Sequence, residues 1–414
     1  MTERIQVPKG TFDVLGDDAL ARDALVGTAK TILERAGYER IETPIFEATE
    51  LFARGVGEST DVVQKEMYSF TDAGERSLTL RPEGTAPVVR AYMEHGMHKR
   101  PQPVKLWYVG PYFRAEAPQK GRYRQFWQIG AETIGSDDPA VDAELVVLLH
   151  EILNSVGAPA RLRIASLGTP ASRAAYRDEL TAYLRAHEDE LSEEVRSRID
   201  LNPLRAFDAD HPGTRRVMEG APLLLDHLTD EDRDHFDGVR ELLDSAGVAY
   251  EVDPTLVRGL DYYTRTVFEM TSDELGAQSG VGGGGRYDGL MEIIGGPPTP
   301  GMGWAAGVER FLLASPRPPV AQPPLDLYVA FVSDEHRAAA FRLAADARRA
   351  GYSARLELGG RSLKGQLKQA DRSGARFVAI LGEEGTALRD MESGEQKTVE
   401  PDTVMHHIRG GKAL

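Results

Sequence analysis

Cysteine is absent from the 414-residue chain, which excludes a disulfide framework, a thiolate zinc site and a cysteine nucleophile. Long apolar runs are missing too: no stretch approaches the roughly 18 uncharged apolar residues of a membrane span. The opening MTERIQVPKGTFDV lacks the apolar core of a secretory signal, so neither export nor membrane insertion is expected. Basic charge is in deficit, with 49 Lys and Arg against 65 Asp and Glu for a net charge of −16. Such a chain does not coat nucleic acid or an anionic membrane by bulk charge, and any polyanion must bind at a local basic site. What remains, 41% hydrophobic and 28% charged residues, is the composition of an ordinary globular protein. The length suggests two or three domains.

Helical spacing of Leu20, Ala24, Ala29, Ile32 and Leu33 predicts a helix over 18–36, which Gly37 stops. Strands are expected at IETPIF (41–46), 78–82, 104–109, 125–134 and 256–270, with a helix over 140–156. Helices separate these strands only partly, so the first 310 residues read as an α+β core with a mostly antiparallel sheet. Residues 171–245 are rich in helix formers and carry 10 basic against 19 acidic residues, which reads as a helical insertion with a solvated surface. The five prolines of SPRPPVAQPP (315–324) mark a linker, and a domain boundary is placed near 320. Beyond it, strand and helix alternate through DLYVAFV, a helix over 334–350, YSARLEL, a helix over 362–373 and FVAILG. This is the pattern of a small α/β domain with a largely parallel sheet.

The densest basic run lies between Lys99 and Arg124, where Lys99, Arg100, Lys105, Arg114, Lys120, Arg122 and Arg124 accompany a single acid, Glu116. Two strands flank the loop APQKGRY, an antiparallel hairpin whose tip could close over phosphates or reach a nucleic acid end; a solvated hairpin would account for the charge equally well. Beyond the loop, Gln128, Gly130 and Glu132 share one strand face by period two. Glu83 and Thr85 stand just before a predicted helix that Thr85 could cap, where a carboxylate and a hydroxyl could also hold an ammonium group. LVRGLDYYTRTVFEM reads as a strand carrying Arg258, Asp261, Tyr262 and Tyr263, a set able to bind a small polar ring and an anion, or simply to pack with a surface ion pair.

In GVGGGGRYDGL, Gly280, Gly282 and Gly285 satisfy G-x-G-x-x-G, but no long helix follows to offer its N-terminus to a pyrophosphate. A glycine strand under a flat ligand is the better reading, because missing Cβ atoms permit close approach. GMGWAAGVERF then sets Glu309 and Arg310 at a helix start. The sequence has no G-x-x-x-x-G-K-[ST] and no H-E-x-x-H, and His95 and His98 lack a third ligand, so no protein metal site is expected.

In order and content these segments resemble the histidyl-tRNA synthetases of bacteria over almost the full length. AGYERIETPIFE (36–47), the 114–132 hairpin and GMGWAAGVERF resemble the three motifs of class II synthetases; LVRGLDYY and GGGGRYDGL resemble the two signatures peculiar to the histidine enzymes. The resemblance implies an antiparallel-sheet catalytic domain over 1–320, with a helical insertion at about 171–245 and an anticodon-binding α/β domain over 325–414. It further implies a cytoplasmic homodimer joined through motif 1. Such an enzyme uses ATP with Mg²⁺ to make histidyl adenylate and transfers histidine to the 3′ end of its tRNA.

Carried over by motif, Glu83, Thr85 and Gln128 would hold the α-ammonium of histidine. Glu132 and Tyr263 would bond the imidazole, with Tyr262 and Tyr287 beside them. Arg114 would meet the α-phosphate and Glu116 the adenine edge, Phe126 would stack on adenine, and Arg310 would clamp the distal phosphates. Arg258 would be the catalytic arginine alongside Arg114, and Gln119, Arg122 and Arg124 would touch the tRNA acceptor end. Ala117 and Trp127 depart from the usual motif 2 residues, Arg and His or Tyr, in the region that would meet the acceptor end. The competing expectation is a synthetase-like, histidine-binding regulatory subunit of histidine biosynthesis. Such paralogues typically lack the C-terminal domain and have eroded signatures, whereas both are present here.

Overall fold

The computed structural model describes residues 4–57, 60–276, 279–315 and 325–409. The chain divides into two compact units, Met1–Pro318 and Pro319–Leu414. Most of the proline-rich stretch taken as a linker, 316–324, lies outside the described residues.

The first unit is built on an eight-stranded sheet. Its order is Glu39–Arg40, Val104–Phe113, Gln125–Ile134, Gly301–Gly307, Gly280–Arg286, Thr264–Thr271, Arg161–Ser166 and Glu251–Val252. Only the two outermost pairings are parallel. On one face pack the helices Asp17–Arg35, Pro139–Ser155 and Asp230–Ser245. Leu25, Ala29 and Leu33 form the buried stripe of the first, and Asp138 caps the second by accepting from the Ala140 N–H at 2.8 Å. Period-two alternation turns Ile129 and Ala131 toward these helices, so the intervening Gln128, Gly130 and Glu132 look out from the other face. That second face is covered by the helix Thr85–Glu94 and by the helical stretch from Pro170 to about 228. The helix Asp230–Ser245 therefore belongs to the layer under the sheet, packed through Phe236, Val239 and Leu243, while the preceding helices lie over it.

Two strand expectations fail. Of IETPIF only Phe46 enters a strand, Phe46–Ala48: Ile41 still donates to Trp107 O, but Pro44 has no N–H to continue a ladder. Of 256–270 only the part from Thr264 is a strand, and Arg258, Asp261, Tyr262 and Tyr263 lie on the turn before it, because side chains from the helical stretch hold its backbone in place of a strand neighbour.

In the second unit Leu325–Phe331 is flanked in parallel by Ala354–Leu356 and Ala375–Gly382, and Gly385–Asp390 and Gln396–Val399 extend the sheet antiparallel. Alternation within LDLYVAF serves two cores. Leu327, Val329 and Phe331 meet the helix Arg337–Arg349, whereas Tyr328 and Ala330 face Ala370 of the helix Leu363–Arg372. The sheet is thus half parallel, because the last two strands arrive by hairpins and not by helical crossovers.

Candidate active site

Glu83 starts the site. Its carboxylate accepts from the backbone N–H of Thr85 at 2.7 Å and of Ala86 at 3.0 Å, so Glu83, and not Thr85, caps the helix Thr85–Glu94. Burial raises its pKa and those two bonds oppose the rise. Released from capping, the Thr85 hydroxyl donates to Glu132 Oε1 at 2.9 Å. Tyr108 donates to the same oxygen at 3.0 Å and Tyr287 to Oε2 at 2.7 Å. Glu132 is fully buried, and its pKa is pushed up to about 8 by burial against the pull of the three hydroxyls. Glycine makes the room: a side chain at Gly303 would occupy the space of the Glu132 carboxylate, and one at Gly130 that of the Tyr108 ring.

Tyr262 joins this cluster with its ring 4.7 Å from Tyr263 and 6.0 Å from Tyr287. Burial lifts the hydroxyls of Tyr108, Tyr262 and Tyr287 well above their usual 10, so near neutrality they are uncharged donors. Burial raises the Tyr263 pKa as well, and the charge of the nearby Arg258 opposes part of that rise.

Beside the cluster opens a cleft of about 450 Å³, within the size range of cofactor pockets. Gln128, Arg114, Glu116, Phe126, Arg258 and Arg310 all line it. Gln128 Oε1 is buried with no partner among the described residues. Arg114 anchors Nε on Pro82 O at 3.0 Å and sets its guanidinium 5.5 Å from the Phe126 ring. Arg258 pairs with Glu269 at 3.1 Å, and Glu269 also accepts from Arg163 at 2.7 Å. Arg310 donates to the carbonyls of Gly280 and Gly121, and burial together with the charge of Arg122 lowers its pKa. Arg122 and Arg310 thus bring two positive charges to the lining of the cleft, an arrangement that can receive a polyanion.

The floor is the glycine strand. A Cβ on Gly283 would stand 3.1 Å from Arg258 Nη2, and one on Gly285 2.8 Å from the Tyr263 ring. Only glycine lets both side chains lie this close to the sheet.

The basic run does not act as one patch. Lys105 bonds Glu144 at 2.8 Å and Arg100 pairs with Glu39 near the start of the hairpin, whereas Arg114 and Arg122 line the cleft. Arg122 pairs with Glu116 at 3.4 Å, Gln119 is exposed and bridged to Arg122, and Arg124 Nε reaches Glu116 O. Of the two unusual motif 2 residues, Ala117 is exposed and Trp127 carries the Arg22 guanidinium 4.9 Å from its ring.

Sequence reasoning missed Tyr108, Glu269 and the lining residues Arg198 and Arg205. Hairpin register could have found Tyr108, which stands directly opposite Gly130. It also missed the role of Arg286 in the RYDGL signature, a fully buried guanidinium paired with the fully buried Asp142.

A family model described as histidyl-tRNA synthetase matches residues 10–311, and one described as an anticodon binding domain matches 326–410. The histidine–tRNA ligase of Rubrobacter xylanophilus is 48% identical over 420 residues, covering 97% of this chain and 99% of the relative. That of Halothermothrix orenii is 46% identical over 401 residues, covering 95% and 96%. The crystal structure of the apo histidyl-tRNA synthetase of S. aureus superposes with a TM-score of 0.81 at 36% identity, over 98% of this chain and all of that one.

Proposed function

The chain belongs to the histidyl-tRNA synthetase family, and from that premise we propose how its cleft activates histidine. It is an ATP-dependent histidine–tRNA ligase of class II. The observation that carries the assignment of the pocket is the buried Glu132 carboxylate ringed by three hydroxyls next to an arginine-lined cleft.

Histidine enters with its imidazole toward Glu132 and Tyr263, flanked by Tyr262 and Tyr287. An imidazole N–H donating to Glu132 favours the ionised carboxylate, whereas an amino acid without that donor leaves buried polar groups unpaired, a cost of about 1–3 kcal/mol each. Glu83, Thr85 and Gln128 take the α-ammonium, supplying the partner that Gln128 Oε1 lacks. The histidine carboxylate is then free to face the α-phosphorus of ATP, whose adenine stacks on Phe126 with its edge toward Glu116.

Arg114 and Arg258 flank the reacting phosphate, and Arg310 holds the distal ones. As the carboxylate oxygen bonds to phosphorus, the bond to pyrophosphate breaks and negative charge spreads over the phosphoryl oxygens. Arg258, held over Gly283 by its pair with Glu269, stabilises that charge. Mg²⁺ would enter with the triphosphate. There it would neutralise charge on the phosphate oxygens, beside the positive charge that Arg114, Arg258 and Arg310 bring to the cleft. In the second step the tRNA acceptor end approaches past Gln119, Arg122 and Arg124.

The reading extends to a homodimer, supported by the exposure of Ile45 (45%) and Phe46 (46%) in the motif 1 segment, with Phe70 6.2 Å from Phe46. It also extends to the cytoplasm, where tRNA charging feeds translation. Exchange of labelled pyrophosphate into ATP tests the first step: the exchange should require histidine and fail with the other amino acids. Histidine-independent exchange, or none with any amino acid, would overturn the pocket.

A further inference from the structure

Among the described residues the turn carrying Arg258, Tyr262 and Tyr263 has no strand neighbour to fix it. Its backbone is held instead by the helical stretch that precedes the helix Asp230–Ser245. Arg205 donates to Gly259 O at 2.6 Å, and Arg173 donates to Tyr263 O at 3.0 Å. Asn202 donates to Asp261 Oδ1 at 3.1 Å, with Arg205 3.6 Å from the same oxygen. From the other side the Asp261 N–H reaches Val56 O at 3.3 Å, and Gly57 abuts Asp261 so closely that a Cβ would stand 2.7 Å from its carboxylate. Arg198 ties the same helical stretch to Asp61, another residue lining the cleft, at 2.9 Å.

We propose that Arg205, Arg173 and Asn202 are positioning residues for histidine activation: the helical stretch is a clamp that sets the 258–263 turn, and so aims Arg258 and Tyr263, before any tRNA is bound. Charge supports this use over an RNA grip. The stretch 171–228 has 8 basic residues against 12 acidic, and three of its arginines, Arg173, Arg198 and Arg205, are turned inward onto the catalytic unit. What faces outward is correspondingly more acidic, a poor surface for a phosphate backbone. Displacement of a reacting group by about 1 Å can cost around a hundredfold in rate, so holding a turn that no ladder fixes has a direct kinetic consequence.

This inference rests on the roles given above to Arg258 and Tyr263, and the test separates the two. Pyrophosphate exchange is measured for the full-length parent and for Arg205→Met, Arg205→Lys, Arg173→Met and Asn202→Ala, with histidine and ATP varied separately and active sites titrated. Arg177→Met is the control, because among the described residues Arg177 donates only within the helical stretch, to Asp200 O and Leu201 O. Arg205→Met and Arg173→Met should lower kcat/KM for histidine about ten- to a hundredfold per active site, through both a higher histidine KM and a lower kcat, with the ATP KM little changed. Arg205→Lys should recover part of the loss, and Asn202→Ala should show a smaller shift of the same kind. Unchanged kinetics, an equal loss in Arg177→Met, or a loss explained wholly by fewer active sites would overturn the clamp. If Arg205→Met fails to fold, Arg205→Lys and Asn202→Ala decide by the same criteria. Absence of histidine-dependent exchange in the parent would instead overturn the assignment of the site itself.

Discussion

The Tyr287 hydroxyl donates to Glu132 Oε2 at 2.7 Å across 155 residues of chain, joining the second histidine signature to the far strand of the motif 2 hairpin. Thr85 and Tyr108 complete the ring, and Glu132 is fully buried. A buried acid held this way is costly to keep and selective in what it accepts.

Glu132→Gln keeps the volume and removes the charge. The imidazole contact it loses is worth about 1.5–3 kcal/mol, so kcat/KM for histidine should fall roughly ten- to a hundredfold. The KM for ATP should hardly change. Exchange kinetics with each substrate varied in turn check this, and equal losses in both would identify a folding defect.

The same residue gives the protein a pH signature. Burial lifts the Glu132 pKa from its ordinary 4.5 to about 8, so between these values the folded chain binds a proton that the unfolded chain has released. The contribution of this residue to stability therefore declines as pH rises from about 4.5 to 8 and is flat above. Glu132→Gln lacks that decline. Without histidine, its melting temperature relative to the parent should rise steadily between pH 5 and pH 8; parallel curves would mean that the carboxylate is not buried.

Arg258→Ala should fold, since Glu269 retains Arg163 as a partner at 2.7 Å. Removing a donor aimed at developing charge costs about 2.7–4 kcal/mol, so exchange should drop roughly a hundred- to a thousandfold. Parent-like exchange in a folded variant would remove Arg258 from the mechanism.

Asp142→Ala separates structure from chemistry within the RYDGL signature. Asp142 and Arg286 are both fully buried, and breaking such a pair from one side typically costs about 3–5 kcal/mol. Denaturant titration should show that loss, while the fraction remaining folded should keep its histidine KM.

Ending the chain within 316–324 should leave histidine-dependent exchange measurable and strongly reduce charging of tRNA. Each unit carries its own buried clusters, and every proposed small-molecule contact precedes Phe311. Charging with unchanged kinetics would refute the anticodon-binding role of the second unit.

Much of the fold is legible locally. The strand 125–134, the helices near 17–35 and 139–155 and the alternation of the second unit follow from periodicities that act over a few residues. Period two likewise places Gln128 and Glu132 on one face. Local pattern misled where distant groups supply the backbone's partners: the apolar and β-branched run 256–270 reads as one strand, yet its first half is bonded by Arg205, Asn202 and Arg173. It misled again at Thr85, an ordinary capping residue by type, because a glutamate two positions earlier accepts from the first N–H groups of the helix, those of Thr85 and Ala86.

The sequence by itself determined which side chains are available, that they fall on an antiparallel core with an appended α/β unit, and through its motifs the family to which the chain belongs. Only the tertiary structure decided that Tyr108 joins Thr85 and Tyr287 on one carboxylate, that Glu269 holds Arg258, that Lys105 and Arg100 leave the site, and that Arg286 is buried. The reason is physical. Periodicity reports which way a side chain points along its own element, whereas these pairings join residues up to 155 positions apart and exist only once the sheet has set its order and register.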